Sequence, residues 1–168
     1  MTEDYRIEPS RTADERVTLT GFLQYQRETL AMKCAGLSSS RLRERAAPPS
    51  TLSLLGLVRH MANVERSWFR SVMNGEDTPR VWERGPNGVD ADFDVATTDP
   101  GEAFARWREE CSRSRAIVEA AESFDVLGHY RDESFTLRYV MTHMIEEYAR
   151  HNGHADLLRE RIDGATGE

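Results

Sequence analysis

One stretch near the end of the chain decides the fold: THMIEEYARHNGH, residues 142–154. It lies within a longer segment, from Ser134 to about Ile162, in which apolar residues recur every three or four positions and so predict a helix. Three of the five histidines fall in this stretch, and Glu147 and His151 are four residues apart. On a helix these two side chains lie one turn apart on the same face, where they can bind one divalent metal together. A metal site would need a further ligand from another part of the chain.

Three other segments have the same helical periodicity. They run from about Thr12 to Cys34, from the N-cap residues Ser50 and Thr51 to about Met73, and from about Gly101 to Glu122. No segment has the alternation of a strand, and residues 123–133 are predicted to be a linker before the fourth helix. Four amphipathic helices without strands predict an all-α fold, a four-helix bundle. Between the first two helices, residues 38–40 can start a short turn or helix.

The second and third predicted helices are joined by a long connection. Residues 74–100 show no period and contain several prolines and glycines. A connection of this length is uncommon within a compact domain and is usually either functional or disordered. Five of its aromatic and acidic residues could fold it over a neighbouring part of the protein: Trp82, Phe93, Asp90, Asp92 and Asp94. The chain is predicted to be a single domain, residues 1–168, in which the polar residues 1–11 are loosely held.

The composition excludes several classes of function. A formal charge of −7 argues against a nucleic-acid surface, because phosphate binding needs a basic patch. No apolar run approaches the roughly 18 residues of a membrane span, and the acidic residues 1–6 do not resemble a secretory signal. The two cysteines, Cys34 and Cys111, are far apart, as expected for reduced thiols in a cytoplasmic protein. The composition also permits a homodimer.

The residues themselves suggest a three-ligand metal site but leave alternatives open. His60, on the second predicted helix, would complete a His, Glu, His set with Glu147 and His151, and three protein ligands leave a position for water or substrate. Zinc, nickel and iron all suit nitrogen and oxygen ligands. However, taken alone, Glu147 and His151 are more often a surface pair than metal ligands, and a single histidine such as His60 is more often structural. His143 is also one turn from Glu147, and His154 lies on the same side of the helix.

Other polar residues have two interpretations each. Glu65 falls within an apolar stripe, so if buried it must be paired, protonated or bound. It could orient a ligand histidine, or it could form an ion pair with an arginine such as Arg27. Arg59, Arg150 and Asn152 could contact an anionic thiol or substrate, although polar groups on a helix surface are more often only solvated.

Two segments resemble the DinB-like superfamily. SLLGLVRHMANVERSWF, residues 53–69, resembles the second helix of DinB-like proteins, and HMIEEYARHNGHAD, residues 143–156, resembles their closing helix. The similarity extends over about residues 16–164 and is greatest with the branch common in high-GC bacteria. The resemblance implies a four-helix bundle with a divalent metal, for which zinc is favoured, held by His60, Glu147 and His151. A His, Glu, His set is similar to that of the mycothiol-dependent maleylpyruvate isomerases.

The resemblance also implies a class of reaction. Characterised members are largely S-transferases or isomerases that use a low-molecular-weight thiol such as mycothiol. A metal that coordinates the thiol lowers its pKa, and the resulting thiolate attacks a small electrophile. Five residues would be candidates for supporting the ligands or contacting the substrate: Glu65, His143, Arg150, Asn152 and His154. The alternatives are a non-catalytic metal-binding or stress-response protein, and a helical dimerisation module with structural histidines.

Overall fold

The computed structural model describes residues 4–82 and 91–166, and these residues are mostly helical. The elements are α1 (Glu15–Cys34), α2 (Ser39–Arg43), α3 (Leu54–Glu65), a π-helix that continues α3 (Arg66–Met73), a 3₁₀ turn (Ala91–Phe93), α4 (Pro100–Ala120), β1 (Leu127–Tyr130), β2 (Glu133–Thr136) and α5 (Leu137–Asp163). The short helix predicted near residues 38–40 is confirmed as α2, whose N-cap is Ser38. None of the helices in the described ranges has both the length and the apolar character that crossing a bilayer requires.

The start of α3 differs from the prediction. Ser50 and Thr51 were expected to cap this helix, but its N-cap is Ser53, whose side chain accepts a hydrogen bond from the amide of Gly56. Ser50 instead accepts a hydrogen bond from the amide of Leu52, which closes a turn before the helix. Ser53 is fully buried, so its side chain satisfies one of the free amides of the first helical turn where water cannot reach it.

The packing of the long helices positions the candidate ligands. α1 packs mainly against α5, α3 packs mainly against α4, and α3 also contacts α5. Apolar side chains from α1, α3, α4 and α5 are almost fully buried, among them Leu23, Leu30, Leu57, Met61, Trp107, Met144 and Leu158. The contact between α3 and α5 brings the middle of each helix together, and these are the parts that carry His60, Glu147 and His151.

The described residues are mostly helical, as predicted, but a two-stranded antiparallel sheet corrects the prediction that the chain has no strands. β1 and β2 pair with Leu127 opposite Thr136 and Tyr130 opposite Glu133, within a segment that was predicted to be a linker and the start of the fourth helix. The hairpin gives no alternating pattern because most of its side chains are exposed and its one fully buried residue is Gly128. A Cβ on Gly128 would lie 2.5 Å from the carbonyl oxygen of Val72, so only glycine fits there without a shift.

The described part of the 74–100 connection contains the 3₁₀ turn Ala91–Phe93, which contacts α3. The approach is close, since a Cβ on Gly56 would lie 2.9 Å from Cδ1 of Phe93. Residues 83–90, including Asp90, lie outside the described residues. At the other end of the chain, Arg6 donates a hydrogen bond to Thr29 on α1, and its guanidinium lies 4.5 Å from the centroid of the Tyr25 ring.

Candidate metal centre

Three side chains from α3 and α5 converge at one point. His60 comes from α3, Glu147 and His151 come from α5, and one potential ligand atom from each lies within 4.8 Å of the other two. Oε1 of Glu147 is 3.4 Å from Nε2 of His60 and 3.4 Å from Nε2 of His151. The packing of α3 on α5 sets the distance between Glu147 and His60, and the spacing of four residues on α5 sets the distance between Glu147 and His151.

These distances suit a tetrahedral cation. Bonds of about 2.0–2.2 Å to nitrogen and oxygen place neighbouring ligand atoms about 3.4 Å apart in a tetrahedron. Two edges of the observed triangle have that length, and the third is no longer than 4.8 Å. Two imidazole nitrogens and a carboxylate oxygen are also a donor set that zinc and other borderline cations accept. The residues present could therefore hold such an ion.

The three side chains are neither sealed from solvent nor on the open surface. Those of His60, Glu147 and His151 are 18%, 20% and 12% exposed. Hydrogen bonds from His151 and then His60 outweigh burial and hold the pKa of the Glu147 carboxyl well below its usual range. Glu147 is therefore ionised at neutral pH and can act as an anionic ligand. Burial opposes protonation of His60, but the hydrogen bonds with Asp92 and Glu147 are stronger in sum and raise its pKa to about 9.

A second layer of contacts surrounds His60. Oδ2 of Asp92 lies 3.2 Å from Nδ1 of His60, on the opposite side of the ring from Glu147. Oδ1 of Asp92 accepts a hydrogen bond of 2.5 Å from Nδ2 of Asn63, and the carboxylate has no exposed surface. The Phe93 ring stacks on the His60 ring, with centroids 5.4 Å apart and planes 27° apart. The sequence placed Asp92 only among three acidic residues of a long connection, and nothing in its spacing linked it to His60.

The other histidines of α5 have different neighbours. His143 stacks on Tyr139 with ring planes only 6° apart, lies 4.6 Å from Trp68 by ring centroids, and approaches Glu146 rather than Glu147. Nδ1 of His154 lies 3.3 Å from Nδ1 of His151. In residues 4–82 and 91–166, the cluster of potential ligand atoms contains neither His143 nor His154.

The remaining candidates make protein contacts. Glu65 is fully buried and accepts two hydrogen bonds of 2.7 Å from Arg27, so it forms the ion pair that was the structural alternative. Tyr148 donates a further hydrogen bond of 2.8 Å to Glu65. Asn152 is buried and donates to the backbone and side-chain oxygens of Gln26, while the exposed Arg150 pairs with Glu146.

A separate cavity opens between α1 and α4. Its volume is about 800 Å³, and its lining includes Arg16, Leu23, Arg115 and Met141. His60, Glu147 and His151 are not among the residues that line it, so this cavity is distinct from their cluster.

Comparison with known proteins identifies a family to which the chain is similar. The model of a family described as mycothiol-S-transferase matches residues 18–164, which is most of the chain and includes every candidate ligand. No curated protein matches the sequence.

Proposed function

This chain belongs to the mycothiol-S-transferase family, and on that premise we propose that it is a metal-dependent transferase that joins a low-molecular-weight thiol to a small electrophile. The observation that carries the proposal is the convergence of His60, Glu147 and His151 at distances suited to a divalent cation. Membership of the family supports a low-molecular-weight thiol as a substrate, and the cluster of three residues supports a metal that would activate this thiol.

Each residue of the cluster has a proposed part. His60 and His151 would contribute a ring nitrogen each, and the ionised Glu147 would contribute an oxygen and a negative charge. Three protein ligands would leave an open position on the metal for a cosubstrate. A divalent metal at this site would lower the pKa of a thiol that coordinates it. Zinc suits this donor set and is our first choice, with nickel and iron as the alternatives.

The overall reaction forms a carbon–sulfur bond and breaks both the bond from carbon to the leaving group and the S–H bond of the thiol. The sulfur of the thiol bonds to an electrophilic carbon, the leaving group departs with its electron pair, and the proton of the thiol passes to solvent. The partial exposure of all three ligand side chains would let both substrates reach the centre from outside.

The protein's own thiols are poor nucleophiles. Cys34 and Cys111 are free and buried. Burial raises the pKa of Cys34 to about 12, and burial is also the main reason that the pKa of Cys111 lies above its usual range. Both are therefore protonated at neutral pH, which favours a thiol supplied as cosubstrate.

We also infer the architecture that family members share. α1, α3, α4 and α5 would be the four helices of a DinB-like bundle, in a single domain that spans the chain. The connection between α3 and α4 would be the long connection expected from the sequence, and part of it lies against His60.

The test compares two histidine variants of protein purified without a histidine tag. We expect the wild-type protein to contain about one divalent metal per chain and to consume mycothiol in the presence of a model alkylating agent. His60→Ala should lose both properties. His143→Ala is the matched control, because His143 lies on the same helix as Glu147 but approaches other residues. Full metal content in His60→Ala would refute the ligand assignment, and bound metal without thiol consumption would favour a non-catalytic metal-binding protein.

A further inference from the structure

One buried carboxylate beside the cluster has no part in the function proposed above. Asp92 lies in the 3₁₀ turn Ala91–Phe93, far from the candidate ligands in sequence, and it has no exposed surface. A buried carboxylate is costly unless its oxygens are hydrogen-bonded. Here Oδ1 accepts from Asn63, while Oδ2 lies 3.2 Å from Arg80 and 3.2 Å from Nδ1 of His60.

We propose that Asp92 is a positioning residue that fixes the tautomer of His60. The carboxylate oxygen of Asp92 can accept a hydrogen bond from Nδ1, so this nitrogen would keep its proton. A metal ion would then take the place of the proton on Nε2, which is the nitrogen 3.4 Å from Glu147. A carboxylate in this position also makes the histidine a more basic ligand.

The turn fixes the ring plane as well as the proton. Phe93 follows Asp92 and stacks on His60, so the same short segment holds the imidazole at its Nδ1 edge and on one face. Gly56 lies one helical turn before His60, and its lack of a side chain admits the Phe93 ring, since a Cβ would lie 2.9 Å away. Asp94, the residue after Phe93, is held by Arg59, whose guanidinium donates a hydrogen bond to the backbone carbonyl of Asp94.

This inference rests on the proposed function to the extent that His60 is a metal ligand. Its first test is the zinc affinity of Asp92→Asn and Asp92→Ala, measured by competition with a chelator. Loss of such a carboxylate should weaken zinc binding by roughly 10–100-fold. Asp94→Asn is the matched control, because Asp94 lies in the same segment, its side chain is exposed, and the hydrogen bond from Arg59 goes to its backbone carbonyl. We expect this control to bind zinc as the wild type does.

A second measurement reports on the hydrogen bond directly. In protein with ¹⁵N-labelled histidine, the Nδ1 proton of His60 should exchange slowly with solvent in the wild type and in Asp94→Asn, and rapidly in both Asp92 variants. The same signal can be read without zinc, so it tests Asp92 even if the chain binds no metal. Unchanged zinc affinity and slow exchange in folded Asp92→Asn and Asp92→Ala would overturn the role of Asp92 and leave the proposed function intact. Conversely, a wild type that binds no zinc and still shows slow Nδ1 exchange that requires Asp92 would refute the proposed metal site and support the hydrogen bond between Asp92 and His60.

Discussion

The ion pair between Arg27 and Glu65 provides the most demanding test of how the core is built. Glu65→Gln keeps the shape of the side chain and removes its charge. In the wild type, Arg27 is 5% exposed, Glu65 has no exposed surface, and two hydrogen bonds of 2.7 Å join them. The variant would leave the guanidinium buried without a compensating carboxylate. Breaking a buried pair from one side costs about 3–5 kcal/mol, so the free energy of unfolding should fall by that amount.

The measurement is urea denaturation followed by circular dichroism, with thermal melts in parallel. For a chain of this size, each kcal/mol lowers the melting temperature by about 2–4 °C, which gives an expected fall of roughly 6–20 °C. Glu109→Gln is the control, because Glu109 pairs with Arg113 on the exposed face of α4 and its loss should leave the transition unchanged within error.

A double variant separates the charge effect from general damage to the core. Arg27→Met combined with Glu65→Leu removes both charges and keeps apolar volume in the site. Replacing a buried pair with apolar residues is often neutral or stabilising, so the double variant should be more stable than either single variant. The reasoning fails if Glu65→Gln costs less than about 1 kcal/mol, or if the losses of the two single variants simply add in the double variant.

Three further outcomes are expected from the same structure. Burial alone would raise the pKa of Glu65, but the charge and hydrogen bonds of Arg27 outweigh burial and hold that pKa below its usual value of 4.5. The stability difference between wild type and Glu65→Gln should therefore be complete above pH 4.5 and shrink as the pH falls further. Urea midpoints measured across this pH range will show the change. Gly128→Ala should lower the free energy of unfolding by about 1–3 kcal/mol, because its Cβ would meet backbone atoms of Val72 and Met73 within 2.8 Å. Gly153→Ala is the control: a Cβ there would meet no atom within 4 Å, so the variant should stabilise α5 by about 0.5–1 kcal/mol. Ser53→Ala should cost about 1 kcal/mol in the free energy of unfolding through loss of the α3 cap, while Thr51→Ala should be close to neutral. The opposite ranking would show that the helix is capped where the sequence predicted.

The sequence by itself determined the helices and the spacing of two candidate ligands. Helical periodicity is a local property, because residues three and four apart share a face whatever the rest of the chain does. The long helices therefore fall close to their predicted positions, and Glu147 and His151 lie one turn apart as expected. The residues alone offered His60 only as one of several alternatives, since no local rule relates α3 to α5, and the resemblance to a known family favoured it. Its assignment as a ligand stays a prediction, although the structure brings it to the other two.

The tertiary structure alone decided which distant side chains meet. Whether Glu65 would orient a ligand or pair with Arg27 was open until α1 and α3 were placed side by side, because the two residues are 38 positions apart. The hairpin gave no pattern because its side chains mostly face solvent and its buried residue is a glycine. Asp92 carried no signal either, since its 3₁₀ turn is only three residues long and its partner His60 lies 32 positions away. Periodicity records the face that a residue occupies on its own helix, whereas contacts between helices and turns depend on the path of the backbone between them.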